Sequence, residues 1–187
     1  MRIIAGTYRG RALASLGKGD PSAHLRPTTD RIRESLFNIL AGGRFGDVIT
    51  DMTVLDLFAG TGALGLEALS RGAAQTTFVD DGAKAIKLIW QNVALCQAEA
   101  KTAVLRRDAR RLGACQTAPF ELIFLDPPYG VGRGEQAFKS ADEGGWIAPD
   151  ALLVWEENTE ISVPKNCQLV DARRYGDTTI TLLRYQR

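Results

Sequence analysis

At 187 residues, 45% of them apolar, the chain can bury one sizeable core, and it lacks the unbroken run of about 18 apolar residues that a membrane span needs. Three scattered cysteines (Cys96, Cys115 and Cys167) and a single histidine, His24, offer little material for a disulfide frame, a metal site or a histidine-based nucleophile. The net charge is only +1, but residues 1–33 hold seven basic against two acidic side chains, a basic front on an acidic body that suits a polyanion or simply a solvated surface.

The start, Met1-Arg2-Ile3-Ile4-Ala5-Gly6, is not a secretory leader, so a cytoplasmic protein is expected. Residues 1–12 read as a short strand or hairpin, and 15–26, rich in glycine, serine and proline, as a loop. Pro27, Thr28 and Thr29 open a helix to Leu40, with Ile32, Leu36, Phe37, Ile39 and Leu40 on its apolar face. Strands are then predicted over 54–57, 76–79, 103–106, 121–125 and 151–155, alternating with helices over 63–70, 83–95 and 133–145. Strands near 168–174 and 178–185 follow, joined by Tyr175-Gly176-Asp177, a link short enough for a hairpin. This order predicts an α/β, Rossmann-like, doubly wound and mostly parallel seven-stranded sheet with an antiparallel edge strand. Residues 1–50 would be a small basic N-terminal extension and 51–187 the α/β domain.

After the first α/β strand comes Asp56-Leu57-Phe58-Ala59-Gly60-Thr61-Gly62-Ala63-Leu64-Gly65. A glycine-rich turn between a strand and a helix lets backbone approach a ligand closely, and Gly60, Gly62 and Gly65 satisfy the spacing of dinucleotide binders. Asp56 argues against a dinucleotide, because a carboxylate there would repel a pyrophosphate and suits an ammonium instead. The segment resembles the first motif of class I S-adenosylmethionine methyltransferases. Asp80 and Asp108 stand at the ends of the second and third strands, and an acid at the end of strand two reaches ribose hydroxyls in such folds.

Asp126-Pro127-Pro128-Tyr129 ends the fourth strand. Two prolines stiffen the loop and remove two N–H donors, leaving carbonyl and carboxylate acceptors that can grip an amino group by its hydrogens. Tyr129 offers a flat face on which a base can stack. Acceptors that draw an exocyclic amine toward sp3 geometry favour the transition state of its methylation. The motif resembles the [DN]-P-P-[YF] signature of amino-methyltransferases.

Two further segments, Met1 to Arg11 and Leu25 to Asn38 (with Arg26-Pro27-Thr28 and Arg31-Ile32-Arg33-Glu34), extend the resemblance to the RsmD family over residue 1 to about Tyr185. Those bacterial enzymes methylate the N2 amine of a guanine, guanine 966, in small-subunit (16S) ribosomal RNA. The resemblance implies that Asp56 and Phe58, Ala59, Gly60, Thr61 and Gly62 hold the amino-acid end of S-adenosylmethionine, Asp80 its ribose, and Asp108 with Ala109 its adenine. It implies that Asp126, Pro127, Pro128 and Tyr129 form the catalytic loop. Arg9, Arg11, Arg26, Thr28, Arg31 and Arg33 would meet RNA, the last four beside the pocket. The family more often has Glu at position 80 and a polar or acidic residue at Gly82. A monomer that uses no metal and acts on 16S rRNA within a partly or fully assembled small subunit is expected. Competing readings are an N6-adenine DNA methyltransferase, a nucleotide-dependent oxidoreductase, and a non-catalytic RNA-binding module with the same fold.

Overall fold

A computed structural model of the chain describes residues 1–15, 30–129 and 132–186. Its elements, in order, are α1 (Asp30–Ala41), β1 (Thr53–Leu57), α2 (Ala63–Ser70), β2 (Gln75–Asp80), α3 (Ala83–Cys96), β3 (Thr102–Arg106), β4 (Phe120–Leu125), α4 (Arg133–Glu143), β5 (Ile147–Glu157), β6 (Cys167–Tyr175) and β7 (Thr178–Tyr185). They form one seven-stranded sheet of order β3-β2-β1-β4-β5-β7-β6. The first five strands are mutually parallel, and the expected antiparallel edge is the final hairpin, with β7 slotted between β5 and β6. The predicted helix opening at Pro27 to Thr29, and the loop from residue 16 to 26, lie outside the described residues.

The strands sort their side chains onto two apolar layers. Val54, Leu122, Phe124 and Val154 face α1, α2 and α3. Leu55, Leu57, Ile123, Leu125 and Leu153 face α4. Both faces of β1 and β4 are therefore covered, which is why these strands read as apolar runs rather than as an alternating pattern. α1 buries Leu36, Phe37 and Leu40, with the Phe37 ring 5.7 Å from that of Phe124. The N-terminal hairpin, closed by an Arg2–Ala12 bridge, adds Ile3 and Leu13 to the same layer. β5 is longer than its predicted core, because Ile147 to Asp150 continue the strand beyond a register shift against β4.

Parallel strands bring their carboxyl ends to one side. Leu57 lies opposite both Val79 and Leu125, and Asp80 opposite Arg106, so the turns after β1, β2, β3 and β4 open onto one rim. In an open α/β sheet the crevice at such a rim, where strand order reverses beside β1, is where ligands bind.

Candidate active site

The two turns singled out by the sequence leave adjacent strands. Leu57 and Leu125 are register partners, and the Asp126 amide reaches toward the Leu57 carbonyl at 3.5 Å. After β1 the backbone turns through left-handed conformations at Phe58 (φ 59°), Gly60 (φ 57°) and Gly62 (φ 76°). Such a conformation costs a non-glycine residue like Phe58 about 1 kcal/mol or more, and strain of this kind gathers at ligand-binding turns. The turn is held by the Ala59 amide on the Val79 carbonyl (3.1 Å) and by the Gly62 amide on the Ala59 carbonyl (2.7 Å). Gly65 serves close packing: a Cβ there would stand 2.5 Å from Phe78 Cε1, so only glycine lets α2 lie directly on β2.

Three carboxylates stand around this turn in different states. Asp56 is 1% exposed and lies deeper than the sequence suggested, beneath the turn, where one carboxylate oxygen accepts the Gly65 amide at 3.0 Å. Burial raises its pKa to about 8 against that hydrogen bond, and the neighbouring Asp80 adds to the rise. Asp80 is half-buried and bridges two turns, accepting the Gly60 amide at 2.9 Å and the Gly82 amide at 2.8 Å. Desolvation raises its pKa too, partly offset by those two amides. Asp108 caps the short turn at Ala109–Arg111 and takes the Arg110 guanidinium with both oxygens (2.9 and 2.8 Å), which holds its carboxyl below the usual range. Ala109 is buried behind it.

On the β4 side, Pro127 is buried, and Asp126, Pro128 and Tyr129 are partly exposed. The Tyr129 hydroxyl donates to Glu156 Oε1 (3.0 Å) and lies 2.9 Å from the Thr178 hydroxyl. Burial, with the Glu156 carboxylate nearby, pushes the phenol up to about 12, so it remains protonated. Tyr129 is thus fixed at its hydroxyl by β5 and β7. Glu156 and Thr178 were not singled out from the sequence. The signal available was the pair Glu156-Glu157 at the carboxyl end of the apolar strand Ala151–Trp155.

A family model described as Conserved hypothetical protein 95 matches residues 1–184. The chain is 39% identical over 190 residues to Ribosomal RNA small subunit methyltransferase D of Escherichia coli (strain K12), covering 100% of this chain and 90% of that protein. The chain belongs to the RsmD family. It is also 35% identical over 181 residues to the protein of the same name from Haemophilus influenzae, covering 94% of this chain and 89% of that one. The solved structure of yhhF from Escherichia coli matches with a TM-score of 0.83 at 37% identity, over 100% of this chain and 98% of that one.

Several residues of the RsmD-family pattern turn out to build the scaffold. Arg33, expected to meet RNA, is 0% exposed. Its guanidinium pairs with Asp30 (2.9 Å) and Glu67 (3.9 Å) and donates to the Arg2 carbonyl, so it cannot reach phosphates. Glu67, on α2, accepts the Ile4 and Ala5 amides (2.8 and 3.1 Å) and Arg71 Nε (2.7 Å). Ser70 donates to the Ala5 carbonyl and accepts the Tyr8 amide. Buried Asn92 exchanges hydrogen bonds with the Ala14 backbone and donates to the Thr61 carbonyl at 2.8 Å, joining the N-terminal segment to the glycine turn. A polar residue within the apolar stripe Ala85, Ile89, Val93, Cys96 was the sign of Asn92's role. Arg31 is exposed on α1. Arg9 and Arg11 are exposed at the tip of the hairpin that packs on Ser70, at the end of α2 away from the glycine turn, and Arg11 donates to the Leu95 carbonyl. The structure does not bring these two to the rim. Arg26 and Thr28 lie outside the described residues.

Proposed function

We propose that the chain transfers a methyl group from S-adenosylmethionine to the exocyclic N2 amine of a guanine in small-subunit ribosomal RNA. The observation that carries this reading is the juxtaposition of the Leu57 and Leu125 strand ends, which sets the glycine turn beside the Asp126 loop. The residues around the turn fit this donor better than a dinucleotide. Asp80 takes the Gly60 amide that a pyrophosphate would need, Asp56 lies beneath the turn and ionises when a cation arrives, and an ammonium and ribose hydroxyls suit the two acids. The glycine turn from Phe58 to Gly62, with Asp56 beneath it, would hold the amino-acid end. Asp80 would hold the ribose, and Asp108 with Ala109 the adenine.

When bound, S-adenosylmethionine supplies a methyl group already activated on a sulfonium, so the protein's work is positioning. The Asp126 carboxylate and the carbonyls of the proline pair accept the amine hydrogens and turn the nitrogen lone pair toward the donor side. Tyr129, fixed at its hydroxyl, supplies the stacking surface. No general base need act before the methyl moves, because the amine can lose its proton afterwards, and this agrees with the single histidine in the chain. A guanine inside an RNA helix has to be flipped out or lie in a loop to reach such a pocket. Selectivity then rests on RNA shape or on a partly assembled subunit.

The deciding experiment is transfer of a tritiated methyl group to small subunits from cells lacking this enzyme, followed by nucleoside analysis. The expected product is N2-methylguanosine, lost with Asp126→Ala. Label in N6-methyladenosine, label in DNA, or unimpaired Asp126→Ala would refute the assignment. Naked short RNA methylated as fast as under-modified subunits would remove the role given to subunit shape.

A further inference from the structure

A groove of about 570 Å3 runs between α1 and β6, lined by Ser35, Asn38, Ile39, Gly42, Arg44, Arg173 and Tyr175. None of these residues belongs to the rim turns described above. We propose that the groove holds the stretch of single-stranded RNA that flanks the target base, a route that rests on the ribosomal-RNA reading and extends it. Its volume is within the range of about 300–1,000 Å3 typical of ligand sites.

The groove is continuous with the rim. β6 is antiparallel to β7, which is antiparallel to β5, so β6 ends on the same side as β4 and β5. Tyr175 closes β6 there as the register partner of Thr178, and Thr178 touches the Tyr129 hydroxyl. The groove's upper end therefore stands one hairpin rung from the catalytic loop. Arg31, exposed, lies one turn before Ser35 on the same face of α1.

The lining has the chemistry of a nucleic-acid track. The Arg44 and Arg173 side chains, 63% and 47% exposed, flank a single carboxylate, Asp171, at 3.5 and 3.0 Å. Water screens such exposed pairs, so they add little to the fold; their effect is to align two guanidiniums along one wall with a net positive charge. Guanidinium forks match phosphate oxygens, the amide of Asn38 and hydroxyl of Ser35 can bond sugar and base edges, and the Tyr175 ring can stack a base.

The test measures binding of a single-stranded RNA oligonucleotide and of under-modified subunits across a salt series, with S-adenosylhomocysteine affinity as the control for folding. Arg44→Ala combined with Arg173→Ala should weaken RNA binding about tenfold and lower the slope of log affinity against log salt by about 1.4, roughly 0.7 for each phosphate no longer neutralised. Asp171→Asn should tighten RNA binding, a change of sign that a merely structural role would not produce. Unchanged affinity and slope in the double variant, or weaker binding by Asp171→Asn, would overturn the proposal. So would a loss confined to protein-bearing subunits with naked RNA unaffected, which would assign the groove to a ribosomal protein. Failure of the wild-type protein to methylate subunits would instead strike the ribosomal-RNA reading, and the oligonucleotide binding reads the groove separately from it.

Discussion

Tyr129 donates its phenolic hydrogen to Glu156 across the β4–β5 boundary at 3.0 Å, and this bond fixes the one aromatic ring of the Asp126–Tyr129 loop. Glu156 is 6% exposed and acts as a positioning residue. Glu156→Ala should lower kcat by about 10- to 100-fold, the scale of a misplaced reacting group, with little change in the KM for the methyl donor. Glu156→Gln retains an acceptor for the phenol and should stay within a few-fold of wild type. Steady-state kinetics on subunits check this; a fully active Glu156→Ala protein would show that the bond has no part in catalysis.

The Asp56 carboxyl titrates near pH 8 in the fold and near 3.9 when unfolded. Between these values the folded chain binds more protons than the unfolded one, so this group's contribution to stability is full below about pH 4 and falls as pH rises through 8. Asp56→Asn keeps an oxygen for the Gly65 amide and removes the ionisation. Its melting temperature should exceed that of wild type by several degrees at pH 8, with little difference at pH 4. Its affinity for the methyl donor should fall at least about tenfold, since the negative charge that Asp56 can place beneath the turn, favouring an ammonium above it, is lost. In wild type at pH 7, donor binding should release a proton as Asp56 ionises, seen as a calorimetric enthalpy that depends on the buffer. Equal binding enthalpies in phosphate and Tris buffers would contradict this coupling.

Arg33→Ala takes the buried guanidinium away from Asp30, Glu67 and the Arg2 carbonyl, while Glu67 keeps Arg71 and the Ile4 and Ala5 amides. Arg33→Ala should cost about 3 kcal/mol in urea unfolding, the lower end for breaking a buried ion pair. It should leave the salt dependence of RNA binding unchanged. A lowered salt slope would restore Arg33 to the RNA-binding surface.

The α2–β2 contact leaves no room at Gly65. Gly65→Ala should push α2 off Phe78 and Thr76, costing about 1–3 kcal/mol of stability and weakening donor affinity through the Asp56 bond. Adding Phe78→Leu should recover part of the loss. Thermal unfolding of the single and double variants measures it, and strictly additive losses would dismiss the steric account.

The alternation of strands and helices, the two rim turns and the final hairpin were legible in the chain because they are written in local signals: apolar runs, glycines and prolines at strand ends. The state of each polar residue was not. Arg33 and Arg31 look alike in sequence, yet two positions along a helix separate the core from solvent, and only the packing of the hairpin decides which is which. Asp56 was placed on the correct strand end but not at its correct depth, because a single glycine, Gly65, lets α2 close over it. Glu67, Asn92 and Thr178 meet partners 62 to 63, 78 and 49 residues away, separations at which local pattern carries no information.

Because β7 is threaded between β5 and β6, the exposed flank of β5 stays uncovered until residues 178–185 have been synthesised. Until then Tyr129 lacks Thr178, and a nascent chain presents a long apolar β-edge open to wrong pairing. Assembly order thus ties the fixing of Tyr129 to completion of the sheet: a chain that stalls or frays before that last strand docks is left both sticky and without the Thr178 contact.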